Sequence, residues 1–364
     1  MSEDNEVKKS KATRVAINGF GRIGRQAFRA MLEKLDLNEL DHSQIELVCV
    51  NDLTDSKTLA HLLKYDSVYG ILQKDVDYSD KPSNRIFAGE IYVDDLTVGV
   101  TSEPDPTKLP WKKLDIDVVI ESTGRFTDKE TAGSHIKAGA KKVIITAPAK
   151  GGSVGTYVIG VNMDEISKKE NIISNASCTT NCIAPVIAIM QKNFKIKKSL
   201  MTTVHAYTAD QSLVDGPHKD LRRARSAAIN TIPTTTGAAI AATEALPELK
   251  SKFDGLSIRV PVPVGSISDI TMLVSREVTV EEVNDAIKRE CQDPKWRGIM
   301  TYTEEPLVSS DIIGNPHSAI VDLALTQVVD KDLVKVVAWY DNEWGYSNRL
   351  VEQAIILGKI LEAK

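Results

Sequence analysis

Residues 15–25 read VAINGFGRIGR, and this stretch restricts the fold more than any other. A β-branched run ends in glycine, and three glycines follow at the spacing G-x-G-x-x-G (Gly19, Gly21 and Gly24). A helical pattern opens at once, from Arg22 to about Leu35. Each glycine has its own mechanical reason in such a turn. The first permits the tight reversal, the second lets backbone approach a pyrophosphate, and the third lets the helix lie against the strand. Free N–H groups and the dipole at the helix start then favour an anion. A glycine-rich turn without a ligand would share this sequence, so the pattern needs support from the rest of the chain.

Apolar strands at 45–52 (IELVCVND), 117–122 (DVVIES) and 142–148 (KVIITAP) alternate with helical stretches that include LTDSKTLAHLLKYDSV and DKETAGSHIKAG. Strand–helix–strand order implies right-handed crossovers and a parallel, doubly wound α/β sheet of the Rossmann type. Segment 75–103 alternates in short β pieces and reads as a hairpin insertion. The second strand ends in Asn51-Asp52. A carboxylate there accepts hydrogen bonds from both ribose hydroxyls of an adenosine and repels a 2′-phosphate, which points to NAD rather than NADP. Asp52 lies 28 positions beyond Gly24, against a usual spacing of about 20. The surplus falls at LDLNELDHSQ, a surface extension at the end of the sheet away from the glycine loop.

After residue 177 the character changes. A helix is predicted through CIAPVIAIMQKNF, and strands at SLMTTVHAYT, SIRVPVPV, SDITMLVSREV and KVVAWYD. EEVNDAIKREC is a helix between two of them, and the final helix runs from Asn348 to about Glu362. Strands in succession suit a mixed or antiparallel sheet in a second, α+β domain, and 364 residues accommodate two domains.

Within ASCTTNCIA (176–184), Cys178 stands among small hydroxyl residues with Cys182 one turn later. Metal ligation, a disulfide and an activated nucleophile are the candidates. Four cysteines (Cys49, Cys178, Cys182 and Cys291) are too few and too scattered for a disulfide framework, and no second Cys pair or His cluster completes a zinc site. This cysteine usage suits the cytoplasm. A thiol where a loop becomes a helix faces unpaired N–H groups that lower its pKa. Its thiolate attacks an aldehyde, and loss of hydride from the adduct leaves a thioester, a step that needs the nicotinamide acceptor the glycine loop offers. The other reading is a small core cysteine, which we assign to Cys182, Cys49 and Cys291. Of six histidines, His205, at the end of the apolar strand TTVHAYT, is the candidate base, although sequence spacing does not bring it to Cys178.

The basic loop LRRAR (221–225), Thr236-Gly237 at the start of an Ala-rich helix, and Arg259 could together make an oxyanion site. The alternative is an N-cap threonine and solvated arginines; Arg222 and Arg225 fit salt-bridge or interface roles. A net charge of −5 argues against nucleic acid as a main partner. No apolar run approaches the ~20 residues that span a bilayer. The start, MSEDNEVKKSKATR, lacks the apolar region of a secretory signal, and residues 1–11 read as a solvated tail.

The segments INGFGRIGR, NDLTDSKTLAHLLKYDSVYG, ESTGRF, SNASCTTNC, HAYT, IPTTTGAA, RVPVP and WYDNEWGYSNR, in that order, resemble the phosphorylating glyceraldehyde-3-phosphate dehydrogenase family. The resemblance implies Cys178 as nucleophile and His205 as base. It implies Thr208 and Arg259 around the substrate phosphate, and Ser177, Thr179, Thr236 and Gly237, with Arg223 nearby, around inorganic phosphate. Gly19, Gly21, Arg22, Ile23, Gly24, Asp52, Thr123, Thr146 and Asn342 match NAD-binding positions, and Asn342 would fix the nicotinamide carboxamide. Leu53 and Pro217 resemble NAD-preferring members. Pro104 departs from the arginine many members carry on the adenine side. The resemblance further implies an NAD-binding domain at 12–177 and 343–364, a catalytic domain at 178–342, and a homotetramer in which loop 207–230 lies beside a neighbour's cofactor. A relative that oxidises erythrose 4-phosphate and hydrolyses its thioester is a second reading, and a non-catalytic, redox-responsive binding protein a third.

Overall fold

The computed structural model describes residues 11–363. The solvated-tail expectation therefore falls outside the described residues except at Lys11, whose ammonium pairs with Asp115 at 2.5 Å.

Two large sheets organise the chain. The first has nine strands in the spatial order 155–156, 172–174, 142–145, 118–121, 13–18, 45–51, 96–101, 89–93 and 76–79. The first seven in that order pair in parallel, and the last two add antiparallel, so the segment read as a hairpin insertion widens this sheet. Strands 13–18 and 118–121 are neighbours, yet the chain leaves them toward opposite edges of the sheet. That reversal opens a crevice beyond their carboxyl ends, where open α/β sheets bind ligands.

The helix Arg22–Asp36 buries Ala27, Phe28, Ala30, Met31 and Leu32, a stripe at three- and four-residue spacing that packs on the sheet. The last helix begins four residues earlier than its periodicity suggested, at Trp344, and runs to Glu362. Its Leu350, Ala354 and Leu357 share one core with Val15 and Ile17 of the central strand. The chain thus returns to its first sheet after building the second. Close approach at that return is visible at Gly358, where a Cβ would collide with the Thr13 side chain.

The second sheet is mixed, in the order 232–235, 253–260, 196–206, 266–274, 333–340, 319–322 and 300–303, with 327–329 also pairing to 333–340. Strand Ser266–Val274 alternates strictly between buried and half-buried residues, the two-residue period of a sheet with one covered face. The helices Cys178–Phe194, Ala238–Ala245 and Val280–Cys291 supply that cover, and their apolar side chains join Met201, Ile270, Met272 and Val336 in a single core. On the other face Leu200, Leu256 and Leu333 remain exposed.

Ile187 lies at the centre of the core beneath the second sheet and is fully buried. Ile187→Ala should lower the unfolding free energy by about 3 kcal/mol, the combined transfer and cavity cost of such a truncation. Urea unfolding should record it as a lower midpoint with an unchanged m value.

Candidate active site

The nucleophile position is built by a short, strained connection. Strand Ile172–Ser174 ends beside Lys142–Ile145, and Asn175 and Ala176 turn the chain into the helix Cys178–Phe194. Ala176 adopts φ +56°, a left-handed conformation unfavourable for a residue with a Cβ. Its carbonyl is held by the Tyr346 hydroxyl at 3.1 Å. Ser177 caps the helix, its Oγ accepting the Thr180 N–H at 3.1 Å. Cys178 follows as the first helical residue, half-buried, with the Thr179 N–H directed at its sulfur.

His205 comes from the end of strand Ile196–Ala206, and its register pairs it with Arg259 on the parallel neighbour. Its Nε2 lies 3.3 Å from Cys178 Sγ, so the structure brings together two residues far apart in sequence. Nδ1 sits 2.6 Å from the Ala206 carbonyl oxygen. That oxygen can only accept, so Nδ1 holds the proton and Nε2 is the bare acceptor facing sulfur. Burial, reinforced by the Arg259 charge, pushes the imidazole down to about 3. Burial raises the thiol, against the pull of Arg259 and the Thr179 N–H. The depressed thiol expected from the helix N-terminus is therefore reversed by desolvation, and the resting pair is a neutral thiol beside a neutral base.

Arg259 donates from Nη1 to Thr208 Oγ1 at 3.1 Å and to the Ala206 carbonyl at 3.3 Å, while its buried Nε has no protein partner. Thr208 and Arg259 are thus assembled next to the base. Gly237 caps the helix Ala238–Ala245, and open space surrounds the place its Cβ would take. Thr236 Oγ1 accepts the Ala238 N–H at 3.1 Å, and the Ala238 carbonyl lies 3.4 Å from Thr180 Oγ1, so two helix starts meet near Cys178. The Thr179 hydroxyl acts on the Cys178 thiol but is turned inward. It is buried 2.9 Å from the Tyr340 hydroxyl, which also contacts Thr203 Oγ1 at 2.8 Å. Arg223 bonds Asp210, Thr234 Oγ1 and the Thr235 carbonyl, and its charge still reaches Arg259 and His205. Arg225 pairs with Asp215, and Arg222 reaches the Pro233 carbonyl.

At the crevice of the first sheet, a cleft of about 280 Å³ is lined by Gly19, Gly21, Asp52, Leu53, Pro104 and Thr123, among others. Gly19 has φ +91°, and a Cβ there would stand 2.8 Å from the Thr123 nitrogen. At Gly21, nothing lies within 4 Å of a built Cβ, so a side chain would project into open space beside the helix start. Gly24 would drive a Cβ into the Gly19 carbonyl, which accounts for the third glycine. The Asp52 carboxylate is aimed by the Phe20 N–H at 2.9 Å and the Thr54 N–H at 3.0 Å. Pinned glycines, an oriented carboxylate and the free N–H groups at Arg22 and Ile23 fit a dinucleotide. Thr146 follows the strand beside Glu121, its N–H held by the Glu121 carbonyl at 3.0 Å. Pro104 lines the cleft and offers no guanidinium; Pro217 is exposed in the loop and is not among the lining residues.

Some of the site escaped sequence reasoning. The Arg22 guanidinium turns from the cleft to Asp66 at 2.7 Å and to Glu343, leaving only its backbone for a ligand. Tyr69 donates to Asp341 at 2.8 Å. These contacts grip both neighbours of Asn342. Tyr340 and Tyr346 were likewise missed, although both flank Asn342 in YDNEWGY. Glu121, fully buried, accepts from Asn18 at 2.6 Å and from the Thr123 N–H at 2.9 Å, fixing the floor of the cleft. Among the described residues all four cysteines are free, and no group of His, Cys, Asp or Glu could hold a metal ion.

A dinucleotide crevice together with a half-buried cysteine against a buried histidine defines the class: an NAD-dependent oxidoreductase. The model for the "Glyceraldehyde 3-phosphate dehydrogenase, NAD binding domain" family matches residues 13–129, and that for the C-terminal domain matches residues 177–342. The chain is 53% identical to glyceraldehyde-3-phosphate dehydrogenase 2 of Streptomyces avermitilis over 349 residues, covering 96% of this chain and 99% of that protein. It is 52% identical to a glyceraldehyde-3-phosphate dehydrogenase of Streptomyces coelicolor, with the same coverage. A Mycolicibacterium smegmatis protein of that name is 51% identical, across 96% of this chain and 99% of its own length. The chain belongs to the glyceraldehyde-3-phosphate dehydrogenase family.

In His205→Gln the basic imidazole nitrogen beside the thiol gives way to a far less basic amide, while burial still raises the thiol. A raised thiol holds less thiolate at any given pH, so alkylation of Cys178 by iodoacetamide at neutral pH should slow severalfold, by up to about tenfold for each pH unit that its midpoint rises. Its pH midpoint should move higher; an unmoved midpoint would mean that the imidazole and the sulfur are not coupled.

Proposed function

We propose that the protein catalyses the phosphorylating oxidation of D-glyceraldehyde 3-phosphate to 1,3-bisphosphoglycerate in glycolysis, with NAD+ and inorganic phosphate. The observation that carries this reading is the 3.3 Å contact between Cys178 Sγ and an Nε2 whose tautomer is fixed as acceptor.

Cys178 Sγ adds to the aldehyde carbon as its proton passes to His205 Nε2. The proton then goes to the carbonyl oxygen, completing a thiohemiacetal. Nε2 next accepts the hydroxyl proton, so the C–H electron pair can leave as hydride and a thioester forms. Bound NAD+ supplies the hydride acceptor. Gly19, Gly21, Gly24 and the backbone of Arg22 and Ile23 would hold it, with Asp52, Thr123, Thr146 and Asn342. Phosphate then attacks the thioester carbon and expels the thiolate. The expelled thiolate takes back the proton held on Nε2, which restores the neutral pair, and the acyl phosphate departs.

Arg259 and Thr208 suit the substrate phosphate, because a half-buried guanidinium and a hydroxyl already in contact need little reorganisation to take it. Ser177, Thr236 and the Gly237 helix start suit the attacking phosphate, with Thr179 contributing through its main chain and Arg223 through its charge. Residues 12–177 with 343–364 form the NAD-binding domain in this reading, and residues 178–342 the catalytic domain. Exposed apolar residues support assembly as a homotetramer. Leu213, Val214, Leu221 and Ile229 in the loop are 72–80% exposed, and Leu200, Leu256 and Leu333 stand on the uncovered sheet face. Among the described residues no helix is long and apolar enough to cross a membrane. A working free thiol at position 178 is suited to the reducing cytoplasm.

Absorbance of reduced nicotinamide tests the proposal. Formation of NADH from glyceraldehyde 3-phosphate should require inorganic phosphate and should be lost in Cys178→Ser, which retains NAD binding; near-normal, phosphate-dependent turnover in that variant would refute the mechanism. Asp52→Asn should raise the NADP-to-NAD activity ratio by about tenfold, because it removes the charge facing a 2′-phosphate.

A further inference from the structure

Asn342 is buried, and its side-chain oxygen accepts twice, from the Gly265 N–H at 3.2 Å and from the Ser266 hydroxyl at 2.9 Å. A backbone N–H can only donate, so this contact settles which end of the amide faces inward: Oδ1 is held by the protein. Among the described residues no acceptor engages Nδ2, and its N–H groups remain for a ligand.

Ser266 does more than hold the amide. Its Oγ also accepts the Ala206 N–H at 3.1 Å. Ala206 is the residue whose carbonyl receives His205 Nδ1 and the Arg259 guanidinium. One hydroxyl therefore joins Ala206, the residue whose carbonyl fixes the base's tautomer, to the Asn342 amide. Ser266 is fully buried and cannot touch a substrate. The backbone locks this joint in place. Gly265 has φ +95°, and a Cβ there would press on Ser309, so the N–H that completes the grip belongs to a position only glycine fills without strain. Strand register sets Ser266 opposite Tyr340, two residues before Asn342.

We propose that Ser266 is a positioning residue for hydride transfer: it orients the Asn342 amide toward the nicotinamide carboxamide and couples that orientation to His205. The proposal rests on the reading of Asn342 as the carboxamide partner. With Ser266 absent, Oδ1 loses one of its two donors, the Ala206 N–H is left unpaired, and the amide is free to rotate about its last side-chain bond.

The test compares NAD+ with its thionicotinamide analogue, whose sulfur is a poorer acceptor than the carboxamide oxygen. The purified full-length enzyme should prefer NAD+ in kcat/KM, because Nδ2 donates to that oxygen. Ser266→Ala should lower kcat/KM for NAD+ by about tenfold, the loss of one buried hydrogen bond, and bring the two cofactors toward parity. It should also slow iodoacetamide alkylation of Cys178 through Ala206, with the circular dichroism spectrum unchanged. Asn342→Ala is the control. Parity in Asn342→Ala with a wild-type preference in Ser266→Ala overturns the proposal alone. A wild-type preference in both variants overturns the carboxamide reading, and the proposal with it. Should Ser266→Ala not fold, Ser266→Cys replaces it: an intermediate preference supports the proposal, and a wild-type preference overturns it.

Discussion

The site depends on a contact between two uncharged groups. Cys178 and His205 are 3.3 Å apart in surroundings that disfavour charge on either. A buried imidazolium beside Arg259 would suffer both desolvation and repulsion, and so the base stays unprotonated well into acid. In the proposed reaction, the thiol gives up its proton when a carbonyl carbon is present to receive the sulfur. This arrangement demands that the first helical residue after one sheet meet the end of a strand in the other. Much of the architecture can be understood as the means of holding that meeting point. The strained Ala176 turn aims the helix, Tyr346 holds the turn, and Ala206 fixes the ring.

The first sheet was legible because its signals are local. Glycine spacing, β-branched runs and helical periodicity each act over a few residues, and VAINGFGRIGR contains all three. Cys178 and His205 were legible as chemistry, from residue type and the ends of predicted elements. Their contact was not, because it depends on how the helix that begins at Cys178 folds back along the next strand, so that its start meets that strand's far end. The sign of the thiol's perturbation was misread for a related reason. A helix N-terminus is a sequence feature, whereas desolvation is a property of the packed site and here outweighs it. Thr179 illustrates the same limit. In sequence it is one more hydroxyl near the nucleophile; in the fold, Tyr340 draws it inward.

Arg22 belongs to the glycine motif, yet its side chain serves the other end of the chain. Its bonds to Asp66 and Glu343, with Tyr69 on Asp341, anchor the segment that bears Asn342 onto the helix that opens the dinucleotide crevice. Both halves of the cofactor region are thus tied by side chains that no short-range pattern would select. Gly265 and Ser266 hold Asn342 from the second sheet. Asn342 and its neighbours are thus gripped from both layers, and a shift of either layer would be felt there.

The final helix packs against strand 13–18, with Gly358 set tightly on Thr13. On a ribosome the early strands emerge long before their covering partner is made. A growing polypeptide consequently carries a partly uncapped apolar surface until that helix is made, and Arg22 waits for Glu343. The grip of Arg22 on the segment that bears Asn342 can therefore form only after the strands of both sheets have been synthesised.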